Sequence, residues 1–210
     1  MVKQTYRRQK RGKTGQSTAQ KALALAKKAN KTELKYLDTD ENPLLVPNVH
    51  PAGNYLWSTC NELLQGTANN RRVGNVVTGT SIQIKARGAY NPLALSGGQL
   101  YRIIVYQNLN SGINSATTDY LQSTSFYSHK SIDNRFNSVT LYDKVFQVTL
   151  DRPQQMHNIS LKLKKPMISY GNSSAAPEKN NVQVLVITNE PTQLNSPFIQ
   201  GQLRFYFTDK

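Results

Sequence analysis

An alternation of apolar and polar residues with a period of two constrains the fold of this chain more than any other feature. The alternation is clearest in Ser81–Arg87 and recurs in residues 158–164 and 202–207. Because successive side chains of a strand point to opposite faces, it predicts strands with one buried face and one solvated face. Two further runs, residues 101–106 and 182–187, are apolar on both faces and predict interior strands.

Three weaker strands are predicted in Leu34–Asp38, Asn54–Leu64 and Val139–Leu150, which brings the total to about eight. In the last of these the apolar parity slips, and the slip predicts a bulge or break near Asp143. A short helix is predicted around Thr117–Gln122, and the prolines are expected to lie outside the strand cores. About eight antiparallel strands joined by mostly long loops favour an all-β fold, a single jelly-roll sandwich, over a meander barrel.

The first 32 residues are strongly basic and contain no carboxylate; the first is Glu33. They contribute +10 of the formal net charge of +14, so the remaining 178 residues contribute only +4. A block of like charge repels itself and stays solvated, which is typical of tails that bind polyanions. We therefore predict a nucleic-acid-binding arm over residues 1–32, disordered apart from a helix over 17–29, and a folded domain over 33–210. The predicted phosphate-binding residues of the arm are Lys3, Arg7, Arg8, Lys10, Arg11, Lys13, Lys21, Lys27, Lys28 and Lys31.

Basic residues of the folded domain form a second, weaker candidate site. Lys85 and Arg87 occupy the polar positions of one predicted strand, and Lys162 and Lys164 occupy those of another. By charge complementarity they could form a wall that meets nucleic acid together with the arm. The alternative interpretation, which we favour, is an ordinary solvated sheet face.

The sequence contains no recognisable catalytic motif, so an enzyme is not predicted. Gly12-Lys13-Thr14 lacks the earlier glycine that a P-loop requires, and Cys60 has no identifiable base. The three histidines do not have metal-ligand spacing, and a surface or loop position is expected for His50 and His157. No apolar run approaches the ~20 residues that span a bilayer, so membrane insertion is not expected.

No cofactor is predicted. Asp119, Asp143 and Asp209 could join a calcium site between subunits, because hard cations prefer oxygen ligands. Surface or turn carboxylates are the preferred interpretation of these three residues.

The order of several short motifs resembles the single-jelly-roll capsid proteins of circular Rep-encoding single-stranded DNA viruses, the circovirus-like group. These are in turn similar to the coat proteins of satellite tobacco necrosis virus and other small RNA viruses. The resemblance spans residues 33–209 and is carried by Glu33–Asp38 after a basic arm, Leu64–Thr67, Arg72–Gly74, Ser81–Ile84, Tyr101–Val105, Asn134–Phe136, Asp143-Lys144, Asn181-Val182 and Phe205–Asp209.

This resemblance implies a capsid protein that self-assembles, with about 60 copies in an icosahedral shell and the arm pointing inward. It also favours single-stranded DNA over RNA as the cargo, a choice that charge alone does not make. The implied location is the virion, and Arg7–Arg11 is a basic cluster of the kind read as a nuclear localisation signal during assembly in the host nucleus. The alternatives are a non-viral nucleic-acid-binding β-domain protein with a basic tail, and a jelly-roll enzyme or lectin.

Overall fold

The computed structural model describes residues 20–21, 33–45, 56–59, 61–93, 97–110, 120–123, 125–133, 135–172, 174–190 and 195–209. The chain divides into two units, Met1–Thr32 and Glu33–Lys210, and the β-strands belong to the second. Gln20 and Lys21, the described residues of the predicted helix 17–29, have helical backbone. Elsewhere among the described residues α-helical backbone is confined to Tyr120, inside the predicted helix 117–122.

Ten β-strands make up the described part of the second unit. In chain order they are β1 (Lys35–Leu45), β2 (Leu56–Thr59), β3 (Val76–Ala89), β4 (Gly98–Asn108), β5 (Ser138–Thr149), β6 (Gln154–Lys162), β7 (Met167–Tyr170), β8 (Pro177–Lys179), β9 (Asn181–Thr188) and β10 (Phe198–Asp209).

The strands form two antiparallel sheets. The six-stranded sheet has the order β1-β10-β3-β7-β8, with β6 also paired to β3, and the four-stranded sheet has the order β2-β9-β4-β5. Without the short β7–β8 hairpin, the orders are β1-β10-β3-β6 and β2-β9-β4-β5, which is jelly-roll connectivity. The predicted all-β jelly-roll sandwich is therefore confirmed, and each of the eight predicted strands corresponds to one of these eight.

A hydrophobic core fills the space between the two sheets. Ile82, Ile84 and Phe205 of the six-stranded sheet pack there with Ile103 and Val184 of the four-stranded sheet, and all five are fully buried. Burying side chains of this size stabilises the fold by about 1.5–3 kcal/mol each. The apolar positions of the alternating strands thus supply the inner face of the sandwich, as the period-two pattern predicts.

A second apolar cluster lies on the outer face of the four-stranded sheet. Ile104 and Leu185, from neighbouring strands, pack there with Tyr120, Leu121 and Phe126 of the segment between β4 and β5. Because this sheet is covered on both faces, all eight residues of β9 are buried. The two runs that are apolar on both faces are therefore interior strands, as predicted.

Three local features differ from the predictions or refine them. The β7–β8 hairpin was not predicted, because its two strands have only four and three residues and lack an alternating pattern. Pro43 lies inside β1 rather than outside it, and Pro177 is the first residue of β8; β1 is an edge strand whose register shifts between Glu41 and Leu44, on either side of Pro43. The predicted irregularity near Asp143 is a register shift between Val105 and Tyr106 of the partner strand, opposite Leu141.

Candidate nucleic-acid interface

The outer face of the six-stranded sheet is polar and basic. Residues directly opposite one another on paired strands share a face. Pairings from β10 through β3 to β6 therefore place Gln202, Lys85 and Asn158 in one row and Gln200, Arg87 and Met156 in the next. A further row ends at Lys162, opposite Ser81 of β3.

This surface, which we call the basic face, brings together three of the four basic residues predicted for the folded domain. Lys85, Arg87 and Lys162 are exposed, and within the described part of the chain no ion pair includes any of them. One Nη of Arg87 donates to Oε1 of Gln200 at 3.2 Å, which orients the guanidinium without neutralising it. Their charge is therefore available to an anion.

An open groove runs along this face between β3 and β10. Its volume is about 490 Å³, and its lining side chains are those of Lys85, Arg87, Gln200, Gln202, Met156 and, on the β1 side, Asp40. Two cations and two amides converge on the groove, together with one carboxylate, Asp40, which accepts a hydrogen bond from Gln202. Cations bind phosphate oxygens, and amide side chains donate to and accept from base edges, so both parts of a nucleotide have partners here.

The carboxylates at the β1 edge of this sheet are already engaged. Asp38 accepts two hydrogen bonds from Arg204, at 2.6 and 2.7 Å, and Asp40 accepts one from Nε2 of Gln202 at 2.8 Å. The hydrogen bonds to Asp38 hold the pKa of Arg204 above its ordinary value. The Arg204 guanidinium also lies over the ring of Tyr36, 4.5 Å from its centroid. Negative charge thus lies on the β1 side of the face, where Asp40 reaches the groove, and the β3–β6 side of the face stays positive.

Lys164, the fourth predicted residue, points elsewhere. Strand β6 ends at Lys162, and the Nζ of Lys164 donates to the carbonyl oxygen of Thr140, on the four-stranded sheet, at 3.0 Å. Its backbone nitrogen donates to Oε1 of Gln107. The period-two pattern of the sequence continues to Lys164, but the β-strand itself ends two residues earlier, so Lys164 does not share the face of Lys162.

The basic residues of the arm are mostly outside the described residues. Lys21 is described and exposed, and Lys3, Arg7, Arg8, Lys10, Arg11, Lys13, Lys27, Lys28 and Lys31 lie outside the described residues. Their role in binding phosphate stays a prediction from charge.

The carboxylates considered for calcium are held by separate partners. Asp143 forms an ion pair with Arg102 at 2.7 Å, and Asp209 forms one with Lys35 at 2.6 Å while accepting from the backbone nitrogen of Val73. Asp119 lies outside the described residues. Among the residues that the structure describes, no three His, Cys, Asp or Glu side chains are grouped as metal ligands would be.

His157 is not the surface or loop residue that the sequence led us to expect. It lies within β6, its side chain is buried, and its Nε2 is 2.6 Å from the hydroxyl of Tyr101. Gly88 leaves the space that the ring of Tyr101 occupies. Burial lowers the pKa of His157, so the imidazole is neutral at neutral pH. His129 is exposed, and both His50 and Cys60 lie outside the described residues.

Gln200, Gln202 and Arg204 belong to this surface but were not assigned to a site from the sequence. The period-two pattern places Gln202 and Arg204 on a polar face, and that was the available signal. Only the pairing of β10 with β3 shows that this face is continuous with Lys85 and Arg87.

No helix in the described ranges is long and apolar enough to cross a membrane. No protein-family model matches the chain, and no curated protein matches it significantly.

Proposed function

We propose that this protein is a viral capsid subunit that self-assembles into a small icosahedral shell and packages single-stranded nucleic acid. The observation that carries the proposal is the distribution of charge on a jelly-roll fold. A ten-cation arm without carboxylates precedes a sandwich that has one open, basic sheet face. The function needs no catalytic chemistry. The motif resemblance adds circular single-stranded DNA as the favoured cargo.

The amount of charge is appropriate to such a cargo. With about 60 copies, arms of +10 each supply on the order of 600 positive charges, which partly neutralise a genome of roughly a thousand or more phosphates. The basic face adds Lys85, Arg87 and Lys162 from each copy.

The arm and the basic face have different roles in this proposal. The arm binds phosphates without regard to sequence. Because this binding releases counterions from the nucleic acid, the affinity of the arm falls by roughly 10³-fold or more between about 50 and 200 mM salt for six to ten contacts. The basic face is built on rigid β-strands. Its cations and amides hold the packaged nucleic acid in place against the sheet. In this proposal the mature location is the virion, and Arg7–Arg11 directs the newly made chain to the host nucleus.

Purification of the full-length chain, followed by mass measurement and nuclease treatment, tests the proposal. We expect particles of megadalton mass whose nucleic acid survives nuclease, and extraction identifies that nucleic acid as DNA or RNA. A 23.6 kDa monomer that still binds nucleic acid would favour the non-viral nucleic-acid-binding protein with a basic tail.

Deletion of residues 2–32 separates cargo binding from assembly. The truncated chain loses ten positive charges and should form empty or aberrantly sized particles. A full-length variant replaces Arg7, Arg8, Lys10 and Arg11 by Gln. It should lower the salt dependence of binding in proportion to the four charges removed and leave the melting temperature unchanged. If the truncated chain packages as much nucleic acid as the full chain, the arm is not the cargo site.

Nuclear import is tested separately. Residues 1–32 are fused to a large fluorescent protein and expressed in eukaryotic cells, with the Arg7, Arg8, Lys10 and Arg11 to Gln variant as control. Accumulation of only the unmodified fusion in nuclei is expected. A cytoplasmic fusion would remove this part of the proposal.

A further inference from the structure

Two large apolar side chains project into solvent from one turn of the segment that precedes β5. Ile132 is 63 % exposed and Phe136 is 76 % exposed. A hydrogen bond from the backbone nitrogen of Arg135 to the carbonyl oxygen of Ile132, at 3.4 Å, closes the turn. The Arg135 guanidinium lies over the ring of Phe136, 4.6 Å from its centroid. We call Ile132, Asp133, Arg135 and Phe136 the loop patch.

The loop patch is held in place by two side chains of the same loop, Lys130 and Gln122. Lys130 donates to the carbonyl oxygens of Ser138, at 2.6 Å, and Arg135, at 3.2 Å. The backbone nitrogen of Ile132 donates to Oε1 of Gln122 at 3.0 Å. A loop that is fixed before binding loses little conformational entropy on binding, and exposed apolar groups on such a loop mark an interaction surface.

A second exposed apolar surface lies at the other end of β5. Val145 is 48 % exposed and Leu150 is 71 % exposed. Beside them is an open groove of about 670 Å³, which Val145, Asp151 and Arg152 line together with residues from the start of β6. We call Val145, Leu150, Asp151 and Arg152 the groove patch.

The loop patch and the groove patch of one molecule are too far apart to cover each other. The loop patch ends two residues before Ser138, where β5 begins, and the groove patch surrounds the end of β5 at Thr149. At about 3.4 Å per residue, the stretch from Ser138 to Val145, the nearest member of the groove patch, spans roughly 24 Å. β5 is also the edge strand of the four-stranded sheet, so no further strand within the described fold lies beside it.

We propose that the loop patch of one copy docks into the groove patch of a second copy of this chain. Each patch carries one acidic and one basic residue beside its apolar pair: Asp133 and Arg135 on the loop, Asp151 and Arg152 at the groove. Arg135 therefore has an acidic partner in Asp151, and Asp133 has a basic partner in Arg152. The occupant that matches both the apolar pair and the opposite charges is another copy.

Because the two patches differ, the contact is heterologous: each copy uses its loop patch on one neighbour and its groove patch on another. Repetition of such a contact closes into a ring when the rotation between copies permits it, and a ring is the repeating element of a closed shell. The inference rests on the proposed function in assuming that copies of the chain assemble. It adds the surfaces that they use.

The test compares full-length variants by mass photometry over a range of protein concentrations, in 1 M salt so that phosphate contacts are suppressed. The loop variant is I132S/F136S and the groove variant is V145S/L150S. The matched control is L64S/M167S, which alters two apolar residues that are 55 % and 50 % exposed and belong to neither patch. We expect each patch variant to need at least tenfold more protein for half-assembly, while the control assembles as the wild type does.

Charge reversal keeps the test valid if a patch variant fails to fold. R135D should weaken assembly at least fivefold, and R135D/D151R should restore it, because the opposite charges then face each other again. Failure of D151R to rescue R135D would show that these residues do not pair.

Mixing the loop variant with the groove variant tests the heterologous geometry. Each retains the patch that the other lacks, so a 1:1 mixture should form heterodimers of twice the 23.6 kDa chain mass and nothing larger. Either variant alone should stay monomeric at the same concentration. A mixture without heterodimers would overturn the heterologous contact.

The outcomes also separate this inference from the proposed function. If the wild type forms particles with protected nucleic acid and both patch variants do the same, the inference is wrong and the proposed function stands. If the wild type assembles through both patches but protects no nucleic acid, the inference stands and packaging is wrong. A wild type that is monomeric at every concentration overturns both.

Discussion

The two sheets of this sandwich share one core but have opposite outer faces. The outer face of the six-stranded sheet is solvated and carries Lys85, Arg87 and Lys162 among amide side chains. The outer face of the four-stranded sheet is covered by the segment between β4 and β5, which packs Tyr120 and Phe126 onto it. An antiparallel sheet with one wet face alternates in sequence, whereas a sheet covered on both faces does not.

Within one domain, the open outer face is suited to binding a polyanion, whereas the covered outer face holds a loop in a fixed position. The uncovered face offers unpaired cations and an open groove, which suit a flexible polyanion. On the covered face, packing of Tyr120 and Phe126 and hydrogen bonds fix the described part of the loop, and this part presents the patch proposed to contact another copy. Under the proposed function, the cargo is held on the outer face of the six-stranded sheet, and the neighbouring copies are held by the loop patch and the groove patch.

Removing a side chain from under the loop should have the largest effect on stability. Ile104 is fully buried in the outer cluster, so Ile104→Ala should lower the free energy of unfolding by about 2–5 kcal/mol. The matched change on the open face, Asn158→Ala, should stay within about 0.5 kcal/mol. Urea unfolding of the full chain measures both. Equal small losses would show that the loop does not form a packed layer.

The two arginine–aspartate pairs of the outer faces provide the next comparison. Arg102 is 11 % exposed, bonds Asp143 through two nitrogens, and donates to the carbonyl oxygens of Phe126 and Ser128. Arg102→Met should therefore cost about 1–3 kcal/mol and open the loop to chymotrypsin at Phe126.

The corresponding pair on the open face should matter less. Arg204 is 36 % exposed and bonds Asp38 without fastening a loop, so Arg204→Met should cause a smaller loss of stability and no new cleavage. The two variants are compared by urea unfolding and by the rate of limited proteolysis. Faster cleavage of the Arg204 variant than of the Arg102 variant would contradict the assigned roles.

Neutralising the open face should weaken cargo binding without unfolding the protein. Replacement of Lys85, Arg87 and Lys162 by Gln removes up to three phosphate contacts and should reduce the slope of log K against log salt by about 2 for single strands. Fluorescence anisotropy with a labelled oligonucleotide measures the slope.

The control for this prediction replaces three lysines outside the basic face, namely Lys144, Lys164 and Lys165, by Gln. All three are exposed, so the change in net charge is matched. An equal loss of slope in the control would mean that binding depends on total charge rather than on the basic face.

The smallest expected effect is a pH dependence from His157, which lies in β6 and meets Tyr101 of β4 across the core. Its pKa is lowered in the folded state, so the unfolded chain binds the proton more readily. Stability should therefore be full above the unfolded pKa of about 6.5 and fall as the pH decreases below it, by at most about 1.4 kcal/mol per pH unit.

The variant His157→Gln keeps a polar group beside Tyr101 but does not titrate. Its stability should change less between pH 7.5 and 5 than that of the wild type, as measured by urea unfolding at each pH. A wild type and variant with the same pH profile would show that His157 is not the group responsible.

The sequence by itself determined which side chains face the core of the sandwich. Alternation, as at Ile82, Ile84 and Phe205, is a local property of the strand, so it predicted the buried faces of three strands. Runs that are apolar on both faces predicted two more of the eight principal strands, and weaker patterns predicted the other three. The concentration of charge in residues 1–32 is likewise a property of composition.

Only the tertiary structure decided which polar faces adjoin and which strands are covered twice. Arg204 and Lys85 are more than a hundred residues apart, and only the pairing of β10 with β3 joins their faces. Lys164 leaves the basic face because β6 ends at Lys162, and His157 is buried because β6 packs across the core from Tyr101 of β4. Side-chain alternation is encoded within a few residues, whereas strand neighbours are selected by the packing of distant segments, which no local pattern specifies.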